Sequence, residues 1–121
     1  GIRGTNCSNM TFYEKARNNI ELINLADIAI INAGFSTISE MIMCRIPVLL
    51  LPIGNHYEQY VNAKMLEKMG IGFMTTPNQV VYKLKQILAS YDTLMGYFLK
   101  CEIDKDSTVK AVNLIYNSII K

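Results

Sequence analysis

The sequence predicts an α/β fold in three layers, α/β/α, with a parallel sheet between helices. Three observations carry that expectation. Residues 28–31 (IAII) and 48–51 (VLLL) are apolar runs without polar alternation, which suits strands buried on both faces. Each run ends in a glycine-bearing polar turn, and each turn opens into a helix-like pattern. Along the chain, four strand candidates alternate with helices, the order that builds parallel sheets. Ligands of such sheets sit beyond the carboxyl ends of the strands. The two turns, 32–37 and 52–58, are therefore where function is expected.

In chain order, residues 1–9 are polar and aperiodic. Residues 10–13 (MTFY) are rich in β-formers and make a first strand candidate. Residues 14–25 place Ala16, Ile20 and Ile23 at amphipathic-helix spacing. After the strand at 28–31, Asn32-Ala33-Gly34-Phe35 forms the first turn and a helix is expected over 37–44, ended by Arg45 and Pro47. The strand at 48–51 leads through Gly54-Asn55-His56 to a helix over 57–69, with Gly70 as its stop. Residues 71–74 form a short strand. Thr76, Pro77 and Gln79 then give a helix start: a cap, a proline at the first position and a glutamine three on. Val80, Val81, Leu84, Ile87 and Leu88 make that helix's apolar stripe. A further helix over 91–101 is expected to be capped by Asp92 and interrupted at Gly96. The last helix starts at Asp106 or Ser107, with its stripe on Val109, Val112, Leu114, Ile115 and Ile119.

The 121 residues fit one domain, 1–121, able to bury roughly two thirds of its unfolded surface. Half the residues are apolar, and the formal net charge is +2 with no Lys/Arg cluster. That excludes the electrostatic footprint of a nucleic-acid binder, so no nucleic-acid partner is expected. Cys7, Cys44 and Cys101 are odd in number, far apart and without a CxxC pair, which favours reduced thiols over disulfides or a zinc site. No apolar run is long enough to span a membrane and no signal peptide is visible, so a cytoplasmic location is expected. The chain begins with Gly, which leaves a tag remnant or an internal cut equally open. Four short strands make a small sheet for this class, so the chain is expected to be part of a larger domain.

The turns carry the candidate chemistry. Gly34 permits unusual backbone angles and a close ligand approach, just before a helix N-terminus that attracts phosphate. Ser36, Thr37 and Ser39 add hydroxyls. Glu40, expected in the first helical turn, suits a ribose diol. Against this stands a structural alternative of about even weight: Thr37-x-x-Glu40 is also a capping box that needs no ligand. In the second turn, Glu58 and Gln59 suit sugar hydroxyls, but both also suit the first turn of any helix. His56 is the only histidine, so it cannot make a metal site alone, and no metal ligand set is expected.

NAGFSTISE followed by PVLLLPIGNHYEQYVNAKMLEKMGIG resembles the carboxy-terminal donor domain of glycosyltransferase family 28, which includes the GlcNAc transferase that forms lipid II. The resemblance covers roughly residues 21–76, and the paired motifs are more specific than either alone. It implies a Rossmann-like domain of the GT-B architecture, an inverting, metal-independent mechanism, and a nucleotide-sugar partner, most simply UDP-linked, with no cofactor. It implies diphosphate binding at Gly34, Ser36 and Thr37, ribose binding at Glu40, and donor-sugar binding at Glu58 and Gln59. Asn55, His56 and Asn62 are further donor contacts in this reading. The catalytic base is expected from an acceptor domain or subunit outside these residues, and so are the first strand and glycine loop of the donor domain. Peripheral association with the inner face of the membrane, and self-association through an exposed sheet edge, are further expectations. Two alternatives stand beside this reading: a non-catalytic α/β binding or interaction module, and a subunit active only with a membrane-bound partner.

Overall fold

The computed structural model describes residues 8–13 and 19–100, together with residues 113, 116 and 117. The elements are α1 (Asn19–Ile23), β1 (Ala29–Ile31), α2 (Phe35–Met43), β2 (Val48–Leu50), α3 (Tyr57–Met69), β3 (Gly72–Met74), a 3₁₀ turn (Pro77–Gln79), α4 (Val80–Ala89) and α5 (Tyr91–Lys100). The three strands form a parallel sheet in the order β1-β2-β3. Spatial order thus follows chain order. With crossovers of one hand, both crossover helices fall on the same face. The packing agrees. Ile38 and Met41 of α2 and Ala63 and Leu66 of α3 share a cluster with Val48 and Leu50. Leu49 faces the other way, where Ile87 of α4 and Leu94 of α5 cover it, with Phe73 alongside. The three-layer α/β/α expectation therefore holds among the described residues.

Only the middle strand meets the expectation of burial on both faces. Val48, Leu49 and Leu50 are all essentially inaccessible. In β1, Ile30 is 51% exposed. It lies level with Leu49 and Phe73 in the register, but the α4–α5 layer that covers Leu49 does not extend over it. Residues 10–13 form no strand beyond a single bridge at Met10. Met10, Phe12 and Tyr13 stay exposed, and β-propensity without a surface to pack on does not make a strand.

Several helix boundaries also differ from expectation. α2 starts two residues early, at Phe35, with Gly34 as its cap residue. It ends on Arg45 in the left-handed region (φ 57), with the Ile46 amide bonded to the Met41 carbonyl at 2.9 Å. α3 has the expected bounds and closes the same way on Gly70 (φ 74). Thr76 precedes the next helix as expected, but its side chain makes no cap. Pro77 brings no amide, and the first turn tightens to a 3₁₀ bond from the Gln79 amide to the Thr76 carbonyl. On α4, Val80, Leu84 and Ile87 pack inward, while Val81 and Leu88 face solvent. Gly96 does not interrupt α5, and Asp92 lies inside its first turn. Expectations for residues 14–18, for residue 101 and for most of the last helix lie outside the described residues.

Two glycines separate packing from propensity. A Cβ on Gly72 would lie 2.8 Å from Val48 Cγ2 and 3.2 Å from the Val48 carbonyl, so the β2–β3 pairing requires its absence. A Cβ on Gly96 would meet nothing within 4 Å. Gly72→Ala is expected to cost about 1–3 kcal/mol of stability through overpacking. Gly96→Ala is expected to gain about 0.5–1 kcal/mol as a helix-interior glycine is replaced. Urea midpoints of the two variants, moving in opposite directions, check both.

Candidate functional site

The register lines up Ile31, Leu50 and Met74, so three turns leave the same end of the sheet. The ladder runs one residue further: the Leu51 amide donates to the Ile31 carbonyl and the Thr75 amide to the Leu50 carbonyl, both at 2.8 Å. The turns begin from a rigid floor.

In the first turn, the left-handed residue is Ala33 (φ 65), fully buried, and not Gly34. Gly34 is extended (φ −68, ψ 139), and a Cβ there would meet nothing within 4 Å. Neither its backbone nor its packing demands glycine. It leaves open space in front of α2. The first intrahelical bond is from the Ile38 amide to the Gly34 carbonyl at 3.0 Å, so the amides of Phe35, Ser36 and Thr37 precede it, and no side chain caps them. The capping-box alternative is therefore corrected. Thr37 sits a full turn too late to be the cap, because the chain already has helical geometry at Phe35. For the same reason Glu40 lies in the second turn of α2, exposed, and not in the first. The Ser39 hydroxyl is turned back on the Phe35 carbonyl at 2.9 Å, which removes it from the group of free donors. Ser36 is exposed and Thr37 half-buried.

In the second turn, Asn55 adopts φ 66 and His56 precedes α3. Both are exposed, as is Glu58. The Ile53 amide donates to Gln59 Oε1 at 2.9 Å, so part of the Gln59 amide holds its own loop. Pro52, Gly54, Asn55, His56 and Tyr60 line a cleft of about 340 Å³. Pro52 and Tyr60 also wall a neighbouring cleft of about 270 Å³, completed by Met74, Thr76 and Gln79 of the third turn. The walls of these clefts bring Asn55 and His56 together. They do not include Gly34, Ser36, Thr37 or Glu40.

One helix ties the turns together. Asn62 Nδ2 donates to the Ala33 carbonyl at 3.2 Å. Glu67 accepts from the Met74 amide at 3.3 Å and from Lys64 at 3.1 Å. With Gln59, α3 side chains thus hold the first two turns and the end of β3 from which the third turn leaves. Sequence reasoning missed Ala33, because the neighbouring glycine drew the assignment by one position. It also missed the third turn, where Thr76 and Gln79 carry a helix-start signal and nothing more. Among the described residues, no three His, Cys, Asp or Glu side chains gather as a metal ligand set. No helix among them is long and apolar enough to cross a membrane.

The chain is similar to known glycosyltransferases in three comparisons. A family model described as glycosyl transferase family 1 matches residues 4–90. An uncharacterised glycosyltransferase of Methanopyrus kandleri is 35% identical over 63 residues, 52% of this chain and 18% of that protein. The UDP-N-acetylglucosamine–N-acetylmuramyl-(pentapeptide) pyrophosphoryl-undecaprenol N-acetylglucosamine transferase of Clostridium kluyveri is 32% identical over 102 residues, 78% of this chain and 29% of that protein. The chain therefore spans under a third of either relative. In fold, it resembles the crystal structure of the glycotransferase of kitacinnamycin, with a TM-score of 0.57, 21% identity, and coverage of 67% of this chain and 22% of that one. The Clostridium relative is a GlcNAc transferase of the kind that the paired turn motifs resemble. With the family model matching most of its length, the chain belongs to glycosyl transferase family 1.

Proposed function

We infer that the chain is the donor-binding part of an inverting, metal-independent glycosyltransferase that moves a hexosyl or N-acetylhexosaminyl group from a UDP-linked donor. The observation that carries this reading is the front of α2. Three amides there have no side-chain cap, and the residue before them lacks a Cβ that neither its backbone angles nor its packing forbids. Such an end carries a partial positive charge and donors aimed outward, which is the complement of a diphosphate. Ser36 and Thr37 would add hydroxyls. Glu40, one turn further, would accept from the ribose. Glu58, the free end of the Gln59 amide, Asn55 and His56 would face the sugar. The UDP-N-acetylglucosamine in the name of the Clostridium relative supports the choice of donor.

In this reading an acceptor hydroxyl attacks the anomeric carbon from the face opposite the diphosphate. The bond from that carbon to the phosphate oxygen breaks, and the leaving UDP takes the electron pair. The helix amides stabilise the developing charge without reorganising, which is where most of such an effect comes from. The base that takes the acceptor proton is supplied by an acceptor domain or subunit. The reaction then suits a protein working at a membrane surface, with the donor held on the cytoplasmic side.

Gly34→Val is the direct test. Its native φ suits any residue and its space is open, so the protein should stay folded with only the modest loss of a favoured cap residue, while UDP affinity measured by calorimetry should fall by about tenfold or more as the side chain covers the amides. Unchanged affinity in a folded variant sinks the reading. EDTA should leave UDP binding unaltered.

Glu40→Gln separates ribose binding from helix stability. Glu40 is exposed and caps nothing, so the change should move stability by no more than about 0.5 kcal/mol. UDP binding should weaken by about 1–3 kcal/mol, the worth of a hydrogen bond to a charged group. Thermal melts and titrations on one sample read both numbers.

A further inference from the structure

Asn62 stands midway along α3, half-buried, and reaches the Ala33 carbonyl 29 residues away in sequence. A carbonyl only accepts, so the group facing it must be the Asn62 NH₂ and not its oxygen. Ala33 is buried in the left-handed region, which an alanine enters only under constraint. Gly34 follows directly and caps α2, so the orientation of the Ala33–Gly34 peptide fixes where the amides of Phe35, Ser36 and Thr37 point. We propose that Asn62 is a positioning residue. It acts through the Ala33 carbonyl to hold the front of α2 in the geometry that receives a diphosphate, and it couples that turn to the helix carrying the second turn. This role differs from the expected donor contact, because one N–H of the Asn62 amide is used on Ala33. The proposal rests on the reading of the α2 terminus given above.

The test uses Asn62→Ala and the isosteric Asn62→Asp, which keeps the volume and loses the NH₂ donor. Binding of uridine, UDP and UDP-GlcNAc is titrated to each, and amide spectra are recorded without ligand. The expected result has two parts. In the ligand-free spectra, signals of residues 33–37 shift while those of β3 and α4 stay in place. UDP affinity falls by about tenfold, one hydrogen bond's worth of misalignment, while uridine affinity is unchanged. Three results overturn the proposal: unshifted signals at 33–37, equal loss for all three ligands, or loss confined to UDP-GlcNAc relative to UDP. The last would make Asn62 a sugar contact after all. If the unaltered chain fails to bind UDP, the donor-binding reading fails on its own, and the positioning of the turn is still decided by the ligand-free spectra.

Discussion

The structure depends on β2. Val48, Leu49 and Leu50 offer no polar face, and each is worth about 1.5–3 kcal/mol only when fully covered. Such a strand must have a neighbour on each edge and a helical layer on each face. Its two parallel neighbours bring α2 and α3 to one face, because spatial order follows chain order. The opposite face is then left for α4 and α5, which explains why two further helices follow the last strand. The three turns of the candidate site all hang from the carboxyl end of this strand or of strands locked to it in register. A site built so stands on a floor tied together by the strand ladder.

On that floor the second organiser is α3. Its inward face packs Ala63 and Leu66 against the sheet. Its polar side chains do different work. Gln59 and Asn62 fasten backbone groups of the second and first turns, and Glu67 fastens the end of β3. Of these, Gln59 also reads in sequence as an ordinary first-turn residue of a helix. Their hydrogen bonds make the loops part of the helix.

What was legible in the sequence follows from range. Apolar runs report strands within a few residues, so the strands at Ala29–Ile31, Val48–Leu50 and Gly72–Met74 and the turns after the first two could be read directly. The bounds of α3 were legible because Gly70 and the buried strands on either side leave the chain little choice. The start of α2 was not, because a good cap residue at Thr37 carries a stronger local signal than Gly34, while the tertiary position of β1 decides where helical geometry begins. The exposure of Ile30 was not legible either, since it depends on which strands and helices lie beside β1. The bond between Asn62 and Ala33 joins the middle of α3 to the first turn, which no local pattern connects, so no periodicity could have revealed it.

The order of the strands also bears on how the chain acquires this structure. Each strand pairs with the one made just before it, and each crossover contains a single helix. Each parallel pairing has to wait for a whole crossover helix, and pairing of that range goes with slow folding and strands left exposed meanwhile. A ribosome releasing the chain amino-end first would let β1, α2 and β2 form a unit before β3 emerges. Only then would α4 and α5 arrive to cover Leu49. Until that moment the strand on which everything else rests has one bare face, and the interval before α5 is complete is when this protein is most exposed to aggregation.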